Sequence, residues 1–151
     1  MNGSPAYLLD SNIIVYAFDA RDVLKRRRAI EVVNRLAELN VAAVSPQILG
    51  ETYVSLTHRS RVAMGLEEAE RAIWRLVSLF EVFDLSIESV REAIRISRLV
   101  RVQYWDALLI STARLNGLSF LLSEDMQDGQ TIEGVRIVNP LSPDFDLGAL
   151  S

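Results

Sequence analysis

The stretch at residues 7–18, YLLDSNIIVYAF, carries the pattern that the rest of the chain repeats. It begins with a short apolar run, which predicts a buried strand, and continues after Asp10 with a segment that predicts a helix over 11–18. A strand that is apolar throughout is typical of a sheet covered on both faces. The stretch therefore favours an α/β fold, with an acid where the first strand meets the first helix.

The same alternation continues to the end of the chain. Helix starts are indicated by Asp22, by Ser45 followed by Pro46, and by Ser86 followed by Ser89. Further strands are predicted at 41–44, 81–85, 119–122 and 135–138, and further helices at 22–40, 46–59, 66–80, 86–101 and 105–116. We expect one domain over 1–151, a three-layer α/β/α sandwich with a mostly parallel central sheet.

Composition excludes several classes of function. Half of the 151 residues are hydrophobic, there is no cysteine and one histidine, and the net charge is -4. The missing cysteines exclude disulfides, thiolate zinc sites and cysteine nucleophiles. A negative net charge argues against coating nucleic acid by bulk electrostatics, but not against an enzyme that holds a few phosphates. Without a signal peptide or membrane span in the sequence, we expect a cytoplasmic protein.

Asp106 stands in an apolar setting. In the helix predicted at 105–116, WDALLISTARLN, it precedes Leu109, Ile110 and Ala113 by three, four and seven residues, so all four share one face. Burying a carboxylate there is costly unless a cation or strong hydrogen bonds compensate. If the helix began one residue later, Asp106 would instead be its N-cap.

Three other acids are expected beside Asp106. Asp10 follows the first strand, Glu51 lies in the second turn of the helix after the second strand, and Asp125 lies three residues beyond the strand ending at Leu122. In parallel sheets, ligands bind beyond the carboxyl ends of the strands. Crowded carboxylates repel, and a hard divalent ion, Mg²⁺ or Mn²⁺, would relieve the repulsion. Such a site suits attack of water on a phosphodiester.

Each acid also has a structural interpretation. Asp10 could cap the helix that begins at Ser11, and Glu51 could lie on a solvated helix flank. The segment 123–128, SEDMQD, could be a solvated acidic loop in which Glu124 or Asp128 replaces Asp125. The one histidine, His58, favours a structural or surface role over that of a general base.

At these residues the chain resembles the PIN-domain family and, within it, the VapC-type toxins of bacterial toxin–antitoxin modules. The resemblance covers nearly the whole chain, and the order and spacing of its motifs agree. It rests on four segments: LLDSNIIVYAFD at 8–19, SPQILGE at 45–51, YWDALLISTARLNG at 104–117 and LLSEDMQDG at 121–129.

The resemblance implies an Mg²⁺- or Mn²⁺-dependent endoribonuclease that leaves a 5′-phosphate and a 3′-hydroxyl. It implies a homodimer and a cognate antitoxin. The catalytic and metal-ligating positions of the family fall on Asp10, Glu51, Asp106 and Asp125. Supporting polar positions fall on Ser11, Asn12 and Ser123, with Asp128 as a substitute or helper for Asp125.

Two other functions are alternatives to a ribonuclease. A phosphoryl-transfer domain also uses acids at strand ends, but the phosphatase motif needs an aspartate where Asn12 stands, and a receiver domain needs a late lysine, whereas the sole lysine is Lys25. A catalytically silent PIN-like module would bind RNA or a protein partner only. All four acidic positions carry Asp or Glu, which favours the enzyme.

Overall fold

Within residues 4–151, which the computed structural model describes, six strands form one sheet. Their order across the sheet is β3-β2-β1-β4-β6-β5, and every neighbouring pair is parallel except β5 and β6. The strands are β1 (Tyr7–Leu9), β2 (Ala42–Val44), β3 (Glu81–Val82), β4 (Phe120–Leu122), β5 (Thr131–Ile132) and β6 (Val135–Val138).

Helices connect the strands and fall into two groups of mutual contact, α1 to α4 and α5 with α6. The helices are α1 (Ser11–Tyr16), α2 (Val23–Leu39), α3 (Pro46–Thr57), α4 (Leu66–Leu79), α5 (Ile87–Val100) and α6 (Tyr104–Leu115), and a short 3₁₀ turn follows at Leu147–Ala149. The prediction of an α/β/α sandwich around a mostly parallel sheet is confirmed. None of the described helices is long and apolar enough to cross a membrane.

The predicted helix starts are confirmed by their caps. The Asp22 carboxylate accepts from the backbone N–H of Lys25 at 3.0 Å, and the Ser45 hydroxyl accepts from Ile48 N at 3.4 Å. Ser86 and Ser89 form a reciprocal capping box. Each cap satisfies backbone N–H groups that the first helical turn leaves without partners.

The structure differs from the sequence prediction mainly at element ends. Helix α1 ends at Tyr16 and α3 at Thr57, and β3 is only Glu81–Val82. Strand β5 was not predicted, because two residues carry no periodicity. It pairs with β6 across a two-residue turn in which Glu133 (φ 52°) and Gly134 (φ 83°) both have positive φ, as tight antiparallel hairpins require.

The centre of the fold is built on α6. Residues 107–113 of this helix are all buried, and α6 contacts β1, β4 and β6. Strands β1 and β4, which lie side by side, are also almost fully buried. Because β1 is parallel to both β2 and β4, the carboxyl ends of these three strands lie at one edge of the sheet, next to the N-terminal end of α6.

Candidate active site

Asp10 is the most constrained of the four acids. It is buried, with 5% of its surface exposed, and it stands at the N-cap of α1. One oxygen accepts from Ser11 N at 2.7 Å and lies 3.4 Å from the Ser11 hydroxyl. The other accepts from the Ser123 hydroxyl at 2.8 Å and from the Asn12 amide at 3.3 Å. The capping role predicted for Asp10 is thus present, and it still leaves the carboxylate at the strand edge.

Glu51 lies beside this arrangement on α3. Its Oε2 accepts from the Ser11 hydroxyl at 3.2 Å, and its Oε1 accepts from the Gln47 side-chain amide at 3.0 Å. Ser11 therefore lies between Glu51 and Asp10. Glu51 is partly buried, so it is not on the fully solvated flank that the helical pattern left open.

Asp106 is the third residue of α6, because the helix begins at Tyr104. The alternative that Asp106 is an N-cap is therefore wrong, and Gln103 occupies that position. Asp106 is partly buried, whereas the following residues are fully buried. Its side chain accepts no hydrogen bond from any residue in the range 4–151.

The acidic loop after β4 separates its three carboxylates. Glu124 accepts from Lys25 Nζ at 2.6 Å and from the Tyr16 hydroxyl at 3.2 Å. Asp128 accepts from the backbone N–H of Asn139 at 2.9 Å, so its carboxylate is engaged by the residue that follows β6. The Asp125 side chain is exposed and has no hydrogen-bond partner within the described part of the chain. Of the three, Asp125 is the carboxylate left available.

The charges of these acids act on one another. Burial raises the pKa of Asp10 from 3.8 to about 6, and the negative charges of Glu51 and Asp125 contribute, against the lowering effect of the Ser123 and Ser11 hydrogen bonds. Burial also raises the pKa of Asp106, with contributions from Asp125 and Glu51. Glu51 and Asp125 are therefore near enough to affect both aspartates. No arginine or lysine in the described residues pairs with any of the four.

The donors suit a hard cation, since they are carboxylates supported by hydroxyl and amide groups. Over residues 4–151, however, no three acidic or histidine side chains already stand in a metal-chelating arrangement. This differs from the close gathering expected from the sequence. Without a counter-charge the carboxylates repel, and Ser11 and Gln47 hold Glu51 through its own hydrogen bonds. In chemistry and charge, the four carboxylates fit a divalent ion.

Three residues that contact these acids were not predicted from the sequence. Gln47 lies one helical turn before Glu51, a spacing that could have indicated their contact. Lys25 and Tyr16 hold Glu124 from distant positions, and no local signal predicts that. His58 lies at the C-terminal end of α3, where its ring contacts Ser60, as expected for a structural residue.

A family model described as the PIN domain matches residues 7–127. The chain belongs to the PIN domain family. The matched range includes Asp10, Glu51, Asp106 and Asp125. A search of curated proteins found no match.

Solved structures share this PIN fold. A toxin–antitoxin complex from Klebsiella pneumoniae matches with a TM-score of 0.66 and 22% identity, over 89% of this chain and 97% of that one. VapBC2 from Rickettsia felis, bound to a promoter DNA fragment, gives 0.63 and 18%, over 87% and 96%. VapC20 from Mycobacterium tuberculosis, a sarcin-ricin loop cleaving toxin, gives 0.59 and 22%, over 86% and 98%. At these identities the likeness establishes the fold.

Proposed function

We propose that this PIN-domain protein is an endoribonuclease that depends on Mg²⁺ or Mn²⁺ and acts as the toxin of a VapBC-type toxin–antitoxin module. The proposal treats residues 1–151 as a single nuclease domain. Asp10, Glu51, Asp106 and Asp125 are its catalytic and metal-binding residues. Ser11, Asn12 and Ser123 support them, and Asp128 has at most an indirect role through the loop.

One observation carries the proposal: at one sheet edge Glu51 and Asp125 act on both Asp10 and Asp106, and no arginine or lysine within residues 4–151 pairs with any of the four. Burial and mutual repulsion raise the pKa values of Asp10 and Asp106, which is costly for a site with only a structural role. A divalent cation would remove this cost. When bound, such an ion can polarise a phosphodiester and activate a water molecule.

The chain's own groups have distinct roles in this proposal. Hydrogen bonds from Ser11, Asn12 and Ser123 orient Asp10, and those from Ser11 and Gln47 orient Glu51. Asp106 and Asp125 have no such partners within residues 4–151, so their carboxylates are available to a ligand or to the water that attacks the RNA. A phosphodiester is itself an anion, so it would approach these carboxylates only with a bound cation neutralising their charge.

The proposal is tested by incubating purified protein with single-stranded RNA in Mg²⁺, in Mn²⁺ and in EDTA. We expect cleavage with either ion and none in EDTA. An Asp10→Asn/Asp106→Asn double variant that remains folded by circular dichroism should be inactive. Metal-dependent cleavage by that variant at the wild-type rate would refute the site assignment.

The partner proposals rest on the resemblance and on the character of similar structures, several of which are toxin–antitoxin complexes. We propose a homodimer and a cognate antitoxin encoded nearby. Light scattering of the purified protein tests the dimer. Co-expression with the adjacent small gene tests the antitoxin, which should co-purify and suppress RNA cleavage. A monomer, or cleavage unaffected by the small protein, would contradict the respective proposal.

A further inference from the structure

An exposed tryptophan lies directly beside the candidate active site. Trp105 is the second residue of α6, immediately before Asp106, and 60% of its surface is exposed. Its ring meets the Tyr104 ring edge-on, with the centroids 5.0 Å apart. Tryptophan gains much from burial, so a ring that remains largely exposed and is held by an aromatic neighbour is suited to contact a ligand.

Trp105 borders a cleft of about 440 Å³ between α3 and α6, within the size range of small-molecule sites. We call the edge of the sheet that carries Asp10, Glu51, Asp106 and Asp125 the acidic edge. The cleft is continuous with it, because Glu51 also lines the cleft. The Gln47 amide connects the two helices there, donating to Glu51 Oε1 at 3.0 Å and to the backbone carbonyl of Trp105 at 3.1 Å. The lining is formed by Pro46, Gln47, Gly50, Glu51, Leu85, Trp105 and Leu108.

Gly50 is the unexpected member of this lining. It lies in the interior of α3, where glycine is less favourable than alanine by about 1 kcal/mol. Close packing does not explain it, since a Cβ built on Gly50 would meet no heavy atom within 4 Å. The missing side chain instead keeps that wall of the cleft open.

The charge of the lining indicates which part of a nucleotide would enter. Among the described residues, the lining includes no arginine or lysine, and its one charged member is the acidic Glu51. A phosphate would be repelled there, whereas a flat, uncharged base would find an aromatic face and apolar walls. Single-stranded nucleic acids are commonly held in this way, by stacking bases on aromatic side chains.

We propose that Trp105 and the α3–α6 cleft form a base-binding subsite, in which one nucleobase of a single-stranded RNA stacks on Trp105 while a neighbouring phosphodiester faces the acids. This inference rests on the proposed ribonuclease function. It assigns part of the substrate recognition to a neutral aromatic contact next to the acids.

The test measures binding of a fluorescent single-stranded RNA in the inactive Asp10→Asn/Asp106→Asn background, where no cleavage is expected and two of the negative charges facing the RNA are removed. Trp105→Ala should weaken binding about 5- to 150-fold, the range for loss of one stacked base, and Trp105→Phe should recover part of it. Trp74→Ala is the matched control, because Trp74 is 62% exposed on α4 and contacts Glu70. It should bind RNA as the wild type does.

A second pair of variants fills the cleft without removing a contact. Gly50→Ala and Gly50→Leu should keep or raise the melting temperature, because both residues favour helix and the added Cβ meets nothing. They should weaken RNA binding, leucine more than alanine. An RNA with an abasic position at the stacked base should bind wild type and Trp105→Ala equally.

Unchanged RNA affinity in folded Trp105→Ala and Gly50→Leu would overturn the subsite while leaving the nuclease proposal intact. A change in oligomeric state without loss of RNA binding would overturn it too, since the surface would then serve protein contact. If the wild type neither binds nor cleaves RNA, the proposed function itself fails, and with it the subsite.

Discussion

Two clusters of charged residues in this protein shift the pKa values of their carboxylates in opposite directions. On the surface, Glu92 and Glu133 pair with Arg95 and Arg114, and Arg95 reaches both glutamates at 2.7 and 2.8 Å. The hydrogen bonds from Arg95 lower the pKa values of both glutamates. At the sheet edge, burial and mutual repulsion raise the pKa values of Asp10 and Asp106 instead.

The difference separates a structural use of charge from a functional one. The surface network balances its acids within the chain, so it gains nothing from an added cation. The acidic edge leaves its charge unbalanced, which is a cost to the metal-free fold that a bound cation would remove.

The largest expected effect is on catalysis. Asp10→Asn or Asp106→Asn should each reduce RNA cleavage by more than about 100-fold, because even residues that only orient metal ligands cost roughly 10- to 100-fold when removed. Initial rates at saturating Mn²⁺ measure the loss. Retention of more than a tenth of the wild-type rate in either folded variant would place the chemistry elsewhere.

The second effect is on stability against pH. The pKa of Asp10 is 3.8 ordinarily and about 6 in the folded chain, so the folded state holds its proton longer than the unfolded state does. The contribution of Asp10 to the free energy of unfolding is fully present below about pH 4. It is lost as the pH rises through 6, and the free energy of unfolding decreases by about 3 kcal/mol for this shift.

Urea unfolding of metal-free protein at pH 4 to 8 measures this linkage. The stability of Asp10→Asn relative to wild type should increase with pH, since the amide cannot ionise. Saturating Mn²⁺ at pH 7.5 should raise the melting temperature of the wild type and not that of the variant. A constant stability difference from pH 4 to 8 would contradict the burial of an ionisable Asp10.

A smaller effect is expected from Ser123, which donates to Asp10 at 2.8 Å and accepts from Asn12 and from the backbone of Asp125. Ser123→Ala should reduce Mn²⁺ affinity or cleavage about 10-fold, because Asp10 would lose one of its orienting donors. Ser119→Ala is the control, since Ser119 is exposed and its side chain makes no hydrogen bond within residues 4–151. Equal behaviour of the two variants would remove Ser123 from the site.

The smallest effect should come from the balanced network. Arg95→Met should lower the melting temperature by no more than about 4 °C, as exposed ion pairs contribute little. Cleavage and Mn²⁺ affinity should be unchanged. Loss of activity in this variant would show that the two clusters are coupled, and that the contrast drawn between them is wrong.

Sequence patterns predicted most of this fold because each element carries a local signal. Apolar runs indicated the central strands, and Asp22, Ser45 and Ser86 indicated helix starts through hydrogen bonds within one turn. Strand β5 was not predicted, because its two residues form a strand only through pairing with β6 across the Glu133–Gly134 turn and carry no local pattern of their own.

The candidate site was predictable in part for the same reason. Asp10 and Asp106 stand out because an acid interrupts an apolar pattern. The choice among Glu124, Asp125 and Asp128 depends on partners far along the chain, since Lys25 engages Glu124 and Asn139 engages Asp128. The cleft at Trp105 also arises only when α3 and α6 meet, so no local pattern indicated it.

We propose that the unbalanced charge of the acidic edge serves to bind a divalent cation. Calorimetric titration of Mn²⁺ into metal-free protein at pH 7.5 tests it most directly, with the Asp10→Asn/Asp106→Asn double variant beside the wild type. The account predicts saturable binding by the wild type and none by the double variant. Equal binding by both proteins, or no binding by the wild type, would contradict it.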